Sequence, residues 1–254
     1  MNTKNKIALI TGGSRGIGRD AALNLAKKGL DIIITYHSNE QEAKNVVAEI
    51  QSIGCKAAYF QTDTSKIDTF DAFFQQVTAY LNKETGNANF DYLVNNAGTA
   101  LYGPIAQTTE EQFDAAMNIH FKGVYFFTQK ALNFMNDGGG VVNISSGLTR
   151  FSAPGSSAYA SMKGAIEVFT RYIAKEYGSR QIRANVVAPG AIATDFGNGH
   201  TRDNKDVSKM IADITALGRV GLPDDVGSVI AFLCTEDAKW VNGQRIEVSG
   251  GMTL

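Results

Sequence analysis

Short apolar runs alternate with longer amphipathic stretches along most of the chain. Continuous apolar segments at 6–11, 31–36, 56–61, 90–94, 140–145, 182–188 and 245–249 read as buried strands. Segments at 16–28, 40–53, 67–83, 109–135, 157–177 and 223–235 read as helices. Strands that are apolar throughout, interleaved with helices, predict a parallel sheet covered on both faces. The expected fold is α/β and doubly wound, with about seven parallel strands in a single domain over 1–254. Such a fold binds its ligands at the carboxyl ends of the strands. Residues 191–217 break the alternation. They are polar and glycine-containing at first, weakly helical over 207–214, and read as either a plain excursion or a mobile lid over a site.

Composition narrows the function by exclusion. A chain of 254 residues with 44% hydrophobic and 19% charged content fits a soluble protein with one large core. A formal net charge of −1, with Lys and Arg scattered, gives no pull toward nucleic acid or an anionic membrane. Cys55 and Cys234 lie far apart and are expected to be free, buried thiols of a reducing compartment. The N-terminus lacks an apolar leader and no run reaches transmembrane length, so a cytoplasmic protein is expected. His37, His120 and His200 are isolated, and no acidic or His cluster has ligand spacing, so no metal is expected.

Two stretches carry chemistry. The first strand runs into Gly12-Gly13-Ser14-Arg15-Gly16-Ile17-Gly18 and then into a helix. Strand, glycine-rich turn and helix form the context of a dinucleotide fingerprint, here spaced T-G-x-x-x-G-x-G, and so point to a Rossmann fold. Glycines let the backbone approach a pyrophosphate, and the helix N-terminus offers it free N–H groups. The second stretch is Tyr159-Ala-Ser-Met-Lys163, on a segment that reads as helix. Residues four apart share a helix face, and an ammonium beside a phenol favours the phenolate. Tyr159 is therefore expected to have a lowered pKa and to exchange a proton with a carbonyl oxygen near neutral pH.

Together these stretches resemble the short-chain dehydrogenase/reductase family, nearest the 3-oxoacyl-carrier-protein reductases and related ketone reductases. Asn95-Asn96-Ala97-Gly98, Asn118, Asn143-Ile144-Ser145-Ser146, Pro189-Gly190 with Thr194, and Ser249-Gly250-Gly251 follow in family order over nearly the whole chain. The resemblance implies Tyr159 as acid/base and Lys163 as its partner, also bonding the nicotinamide ribose. It implies Asn118 as the holder of a proton-relay water, and a Ser as the carbonyl holder. Ser145 and Ser146 point to opposite faces of a strand. Ser146, thirteen residues before Tyr159 as in the family, is the choice. His120 is read as structural, facing elsewhere on the helix.

NADPH is the expected cofactor. No acid follows the second strand at Tyr36-His37-Ser38, while Arg15 offers a charge to a 2′-phosphate, with donors from Ser38 and His37. The resemblance adds Gly12, Ser14, Gly16, Ile17 and Gly18 at the pyrophosphate and Tyr36 and Asp63 near the adenine. Asn96 and Gly98 are expected along the ribose and nicotinamide, and Pro189, Gly190, Ile192 and Thr194 at the carboxamide. Thr99, Ala100, Leu148, Phe151, Phe196 and 197–214 would wall an apolar pocket suited to a medium-sized ketone or β-keto ester. Arg150 is expected to be a solvated loop residue. The implied activity is NADPH-dependent carbonyl reduction, reversible as alcohol oxidation. The alternatives are a 3-oxoacyl-carrier-protein reductase, an NAD-dependent alcohol dehydrogenase working in the other direction, and a non-catalytic NADP(H) sensor. A homotetramer is expected from the resemblance alone.

Overall fold

Each apolar run becomes one rung of a single sheet in the computed structural model, which describes residues 5–254. The strands are β1 (Ile7–Ile10), β2 (Asp31–Tyr36), β3 (Ala57–Gln61), β4 (Phe90–Asn95), β5 (Met135–Ile144), β6 (Arg183–Pro189) and β7 (Arg245–Val248). All pairs are parallel, in the order β3-β2-β1-β4-β5-β6-β7. Side chains along a strand alternate between its two faces, and both faces are buried. On one side Ala8, Ile10, Ile32 and Ile34 pack under α1 (Gly16–Lys27), α2 (Glu40–Ile53) and, numbered here in chain order, α9 (Pro223–Leu233). On the other, Leu9, Ile33, Leu93 and Val141 pack under α3 (Phe70–Thr85), α5 (Gly123–Ala131) and α6 (Ser157–Glu176).

The chain winds outward from β1 to β3, then crosses back to lay β4 against β1. The strand order reverses there, which opens a crevice at the carboxyl ends of β1 and β4. Among the described residues, no helix is long and apolar enough to cross a membrane.

Two expectations need correction. The helix expected over 109–135 is α4 (Glu110–Met117), a π-helical turn over Asn118–Lys122, then α5, with β5 already begun at Met135. The π-turn sits where Gly123 meets the carbonyl of Thr64: a Cβ there would lie 1.9 Å from that oxygen. The early start of β5 rests on Met135 pairing with Phe90, and on Gly139 passing so close to the Asp91 carbonyl that a Cβ would lie 2.0 Å from it. Neither contact leaves a periodic trace. The 191–217 excursion contains two short helices, α7 (His200–Asp203) and α8 (Lys205–Asp213). Isolated bridges pin its ends, Ile192 to Gly221 and Thr215 to Met252.

Candidate active site

The glycine loop leaves β1 at Thr11 and is braced from β4. Asn96 donates from Nδ2 to the carbonyls of Thr11 and Gly12, both at 3.0 Å. A Cβ at Gly18 would lie 2.3 Å from the Gly12 carbonyl oxygen and 2.4 Å from Asn96 Nδ2, so this closure requires glycine. Gly12 has φ +64°, and a Cβ there would lie 2.9 Å from Ala97. Arg15 caps α1 without a side-chain bond to the helix, which leaves the first-turn N–H groups facing the crevice mouth. Ser14 is buried and Ile17 packs against the core beneath.

The rim beyond the loop carries the expected cofactor contacts. Arg15 is exposed, and its nearest carboxylate is Asp195 at 3.8 Å. His37 Nε2 lies 3.7 Å from Asp63. Asp63 accepts from Ser65 N at 3.0 Å and from Ser65 Oγ at 2.7 Å. Partial burial pushes its carboxyl up, but the Ser65 bonds, His37 and Lys66 together hold it below its ordinary value. Ser38 is exposed at the end of the β2 turn. Tyr36 turns inward against Tyr59, ring centroids 5.9 Å apart, and belongs to the core. Pro189 ends β6, and Gly190 donates to Val248 at 3.1 Å. Thr194 lies against Gly16, where a Cβ would be 3.5 Å from its methyl. These residues fit a dinucleotide: a glycine cradle, open N–H groups, and one lightly paired arginine beside it.

Ser146, Tyr159 and Lys163 converge at the ends of β5 and α6. Lys163 is buried and donates from Nζ to the Ile144 carbonyl at 2.8 Å. Its ammonium stands 5.6 Å from the centre of the Tyr159 ring. Burial pulls its pKa down to about 8. Burial pushes the Tyr159 phenol up, against the hydrogen bond from Ser146 that lowers it, with the neighbouring Tyr102 raising it further. The lowered phenol expected from the Tyr–Lys spacing is therefore corrected: desolvation outweighs the cation, which is bonded to a backbone carbonyl. Tyr159 as a whole is half-buried. Ser146 Oγ also accepts from Leu148 N at 3.2 Å. Ser145 faces away and donates to Glu167 at 2.7 Å.

The segment after α4 brings His120, not Asn118, against the phenol. The His120 ring meets Tyr159 edge-on, centroids 4.9 Å apart at 84°. His120 is 1% exposed, and its Nε2 donates to the Thr99 carbonyl at 2.8 Å. Nδ1 is buried without a hydrogen-bond partner among the described residues. Burial, with Lys163 nearby, lowers its pKa to about 3, so the ring is neutral. His120 lies within the π-turn, where the 3.6-residue periodicity does not hold. Among the described residues, no hydrogen bond joins Asn118 to Tyr159 or Lys163. Gly98 backs the same ring, where a Cβ would lie 2.9 Å from His120 Cε1.

Of the expected pocket walls, Thr99 and Phe196 reach this centre. Phe196 tilts toward Tyr159, centroids 6.1 Å apart. Gly197 lies near Ala100 and Tyr102, and an open cleft of about 690 Å³ lined by Tyr102, Gly197, Asn198, His200 and Lys205 leads outward. Leu148 lies on the turn after Ser146, Phe151 packs against Arg150 beyond it, and Ile192 stands where the 191–217 excursion begins. Arg150 is exposed, as expected, but its guanidinium is also tied to the C-terminal strand and tail. It donates to the carbonyls of Met252 at 2.6 Å and Thr253 at 3.0 Å. A separate cleft of about 670 Å³, lined by Arg150, Arg219, Arg245 and Glu247, lies at the C-terminal edge and contains none of the convergent residues. Sequence reasoning missed His120, Tyr102, Glu167 and the buried chain Asn95–Asn143–Thr170, whose amide and hydroxyl bonds are each 2.8 Å.

A family model described as Enoyl-(Acyl carrier protein) reductase matches residues 12–253. The hydroxynaphthalene reductase-like protein Arp2 of Metarhizium brunneum (strain ARSEF 3297) is 36% identical, over 97% of this chain and 94% of its own. The short chain dehydrogenase mdpC of Emericella nidulans is 33% identical, over 98% and 95%. Among solved structures, angucycline C-6 ketoreductase LanV with bound NADP superposes with a TM-score of 0.92 at 35% identity, over 98% of this chain and 95% of that one. The promiscuous reductase LugOII, which catalyses keto-reduction at C1 during lugdunomycin biosynthesis, superposes at 0.93 and 35% identity over 100% of both chains.

Proposed function

The chain belongs to the short-chain dehydrogenase/reductase family, and on that premise we propose an NADPH-dependent reductase of ketone carbonyls with Tyr159 as the proton donor. The observation that carries this reading is the convergence of Ser146, Tyr159 and Lys163 beside a glycine-cradled helix N-terminus. Gly12, Gly16, Gly18 and the open end of α1 would hold the pyrophosphate, and Arg15 the 2′-phosphate. When bound, the reduced nicotinamide supplies hydride to the carbonyl carbon.

The chain's own residues handle the oxygen. Ser146 donates a hydrogen bond to the carbonyl oxygen and so fixes its direction. A raised phenol pKa keeps Tyr159 protonated at neutral pH, which is the form a reduction needs. As negative charge grows on the oxygen, the phenol gives up its proton. Lys163, with a pKa of about 8, is mostly cationic at neutral pH and stabilises the phenolate left behind. Tyr102 and Phe196 give the mouth an aromatic character that suits flat ketones as well as β-keto esters. The names of the relatives, a hydroxynaphthalene reductase-like protein and an angucycline ketoreductase, support the same substrate class. The excursion over 191–217 is proposed as the lid. Exposed Tyr125, Val168 and Tyr172 on α5 and α6 support a homotetramer, which sizing in solution tests.

The test is Tyr159→Phe, assayed with NADPH against tetralones, β-keto esters and 3-oxoacyl thioesters. NADPH binding persists and kcat falls by about 10²- to 10⁴-fold. Unchanged turnover removes Tyr159 from the reaction. Turnover confined to thioesters makes the protein a 3-oxoacyl-carrier-protein reductase.

A further inference from the structure

Tyr159, Lys163 and Glu167 stand four residues apart on α6 and share one stripe of the helix. The proposed chemistry uses the first two. Glu167 lies two turns beyond Tyr159, about 12 Å along the axis, with its side chain only 15% exposed. One of its oxygens, Oε1, accepts three bonds: from Ser145 Oγ, from Thr149 Oγ1 and from Arg245 Nε, each at 2.7 Å. Ser145 and Thr149 bracket the short turn that carries Ser146. Arg245, from β7, reaches the same turn with Nη2, donating to the Ser146 carbonyl at 3.2 Å and to Thr149 Oγ1 at 3.1 Å. Glu247 pairs with the far side of Arg245 and with Arg150.

We infer that Glu167, clamped by Arg245, is a positioning residue that sets the Ser146–Tyr159 geometry by tying the serine turn to the helix that carries the tyrosine. This rests on the reading of Ser146 and Tyr159 given above. Ser146 sits on a loop after β5, whereas Tyr159 sits on a helix, so their separation is not fixed by either element alone. A carboxylate on that helix, holding both ends of the loop, turns two independent positions into one rigid body. Charge-assisted bonds to a mostly buried oxygen are short and directional, which suits that task. A misplacement of about 1 Å at a reacting group lowers rate by about 10²-fold, so such a tie has a kinetic consequence.

The experiment is a double-mutant cycle of Glu167→Gln with Ser146→Ala. Glu247 keeps Arg245 paired in Glu167→Gln, so the charge is not stranded. Glu167→Gln is expected to lower kcat about tenfold or more, with the NADPH dissociation constant and KM within about twofold. In the Ser146→Ala background the same change is expected to lower kcat less than about threefold, because the residue acts through Ser146. Multiplicative losses in the cycle, or an unchanged kcat in Glu167→Gln alone, overturn the inference. Should Glu167→Gln fail to fold, Ser145→Ala with Thr149→Val removes the two loop ties, leaves the ion pair intact and carries the same expectations. A Ser146→Ala enzyme with undiminished kcat overturns the functional reading itself. Loss in Ser146→Ala without loss in Glu167→Gln overturns the positioning role alone.

Discussion

Acidification should weaken this fold through a single buried imidazole. His120 is 1% exposed, and its Nε2–H is committed to the Thr99 carbonyl at 2.8 Å. A second proton would have to enter at Nδ1, which is buried, without a hydrogen-bond partner among the described residues and within the field of the Lys163 ammonium. The folded protein accordingly holds His120 neutral down to a pKa of about 3, against 6.5 for the free group. Below about pH 6.5 the unfolded chain takes up a proton that the native state refuses. Stability is therefore lost as pH falls, by about 1.4 kcal/mol per unit, until the folded pKa is reached. Between neutrality and about pH 4 this amounts to about 3 kcal/mol, a large share of a typical 5–15 kcal/mol. Urea unfolding of the wild type and of His120→Gln, at fixed protein and salt concentration from about pH 7 to about pH 4, measures it. The variant loses packing at every pH, which offsets its curve without changing the slope. The gap between the two proteins should narrow by about 3 kcal/mol on acidification. Parallel curves would show that His120 carries the same protonation in both states, and the argument from burial would fail.

Three further outcomes follow from the same geometry. Arg15→Ala should raise the NADPH dissociation constant about tenfold and leave that for NADH within about twofold, since an exposed cation–phosphate bond lies at the low end of charge-assisted strengths; fluorescence titration with each cofactor decides it, and equal losses would take Arg15 off the 2′-phosphate. Gly123→Ala places a methyl 1.9 Å from the Thr64 carbonyl oxygen. It should lower stability by about 1–3 kcal/mol or more, and a thermal midpoint equal to wild type would mean that the π-turn yields freely. Asn118→Ala should change kcat less than about twofold, whereas His120→Ala, which removes a contact to Tyr159, should lower it more. The reverse order in steady-state rates would return the relay role to Asn118.

What could be read from the chain ahead of its structure was whatever one element carries by itself. β1 shows its burial as four apolar residues, and the glycine loop shows its task because strand, turn and helix are contiguous. The Tyr159–Lys163 pair is legible because helical spacing is local, and the same logic extended one step further would have reached Glu167. The errors begin where a second element decides. The sequence names a cation near Tyr159, but only the packing shows that Lys163 is bonded to Ile144 and that the phenol oxygen is desolvated. His120 reads as facing away from the site because 3.6-residue periodicity was carried through Asn118–Lys122. The π-turn ends where Gly123 meets Thr64, fifty-nine positions earlier in the chain, a contact that local periodicity does not contain.

The candidate site is of the second kind throughout. Ser146 follows β5, Tyr159 and Lys163 lie on α6, His120 comes from the turn before α5, and the glycine loop follows β1. Parallel pairing fixes where the strands end, since Asn95 stands opposite Asn143 and Asn143 opposite Val186. The Asn95–Asn143–Thr170 chain then ties β4 and β5 to α6 through buried bonds of 2.8 Å. That chain holds the middle of α6, and the Glu167 clamp holds the serine turn to the same helix one turn earlier. The two ties act on opposite sides of Ser146: one fixes the strand it leaves, the other the turn it enters. A loop residue held at both ends in this way behaves as part of the scaffold, so the geometry of Ser146 against Tyr159 follows from the fold and not from the loop alone.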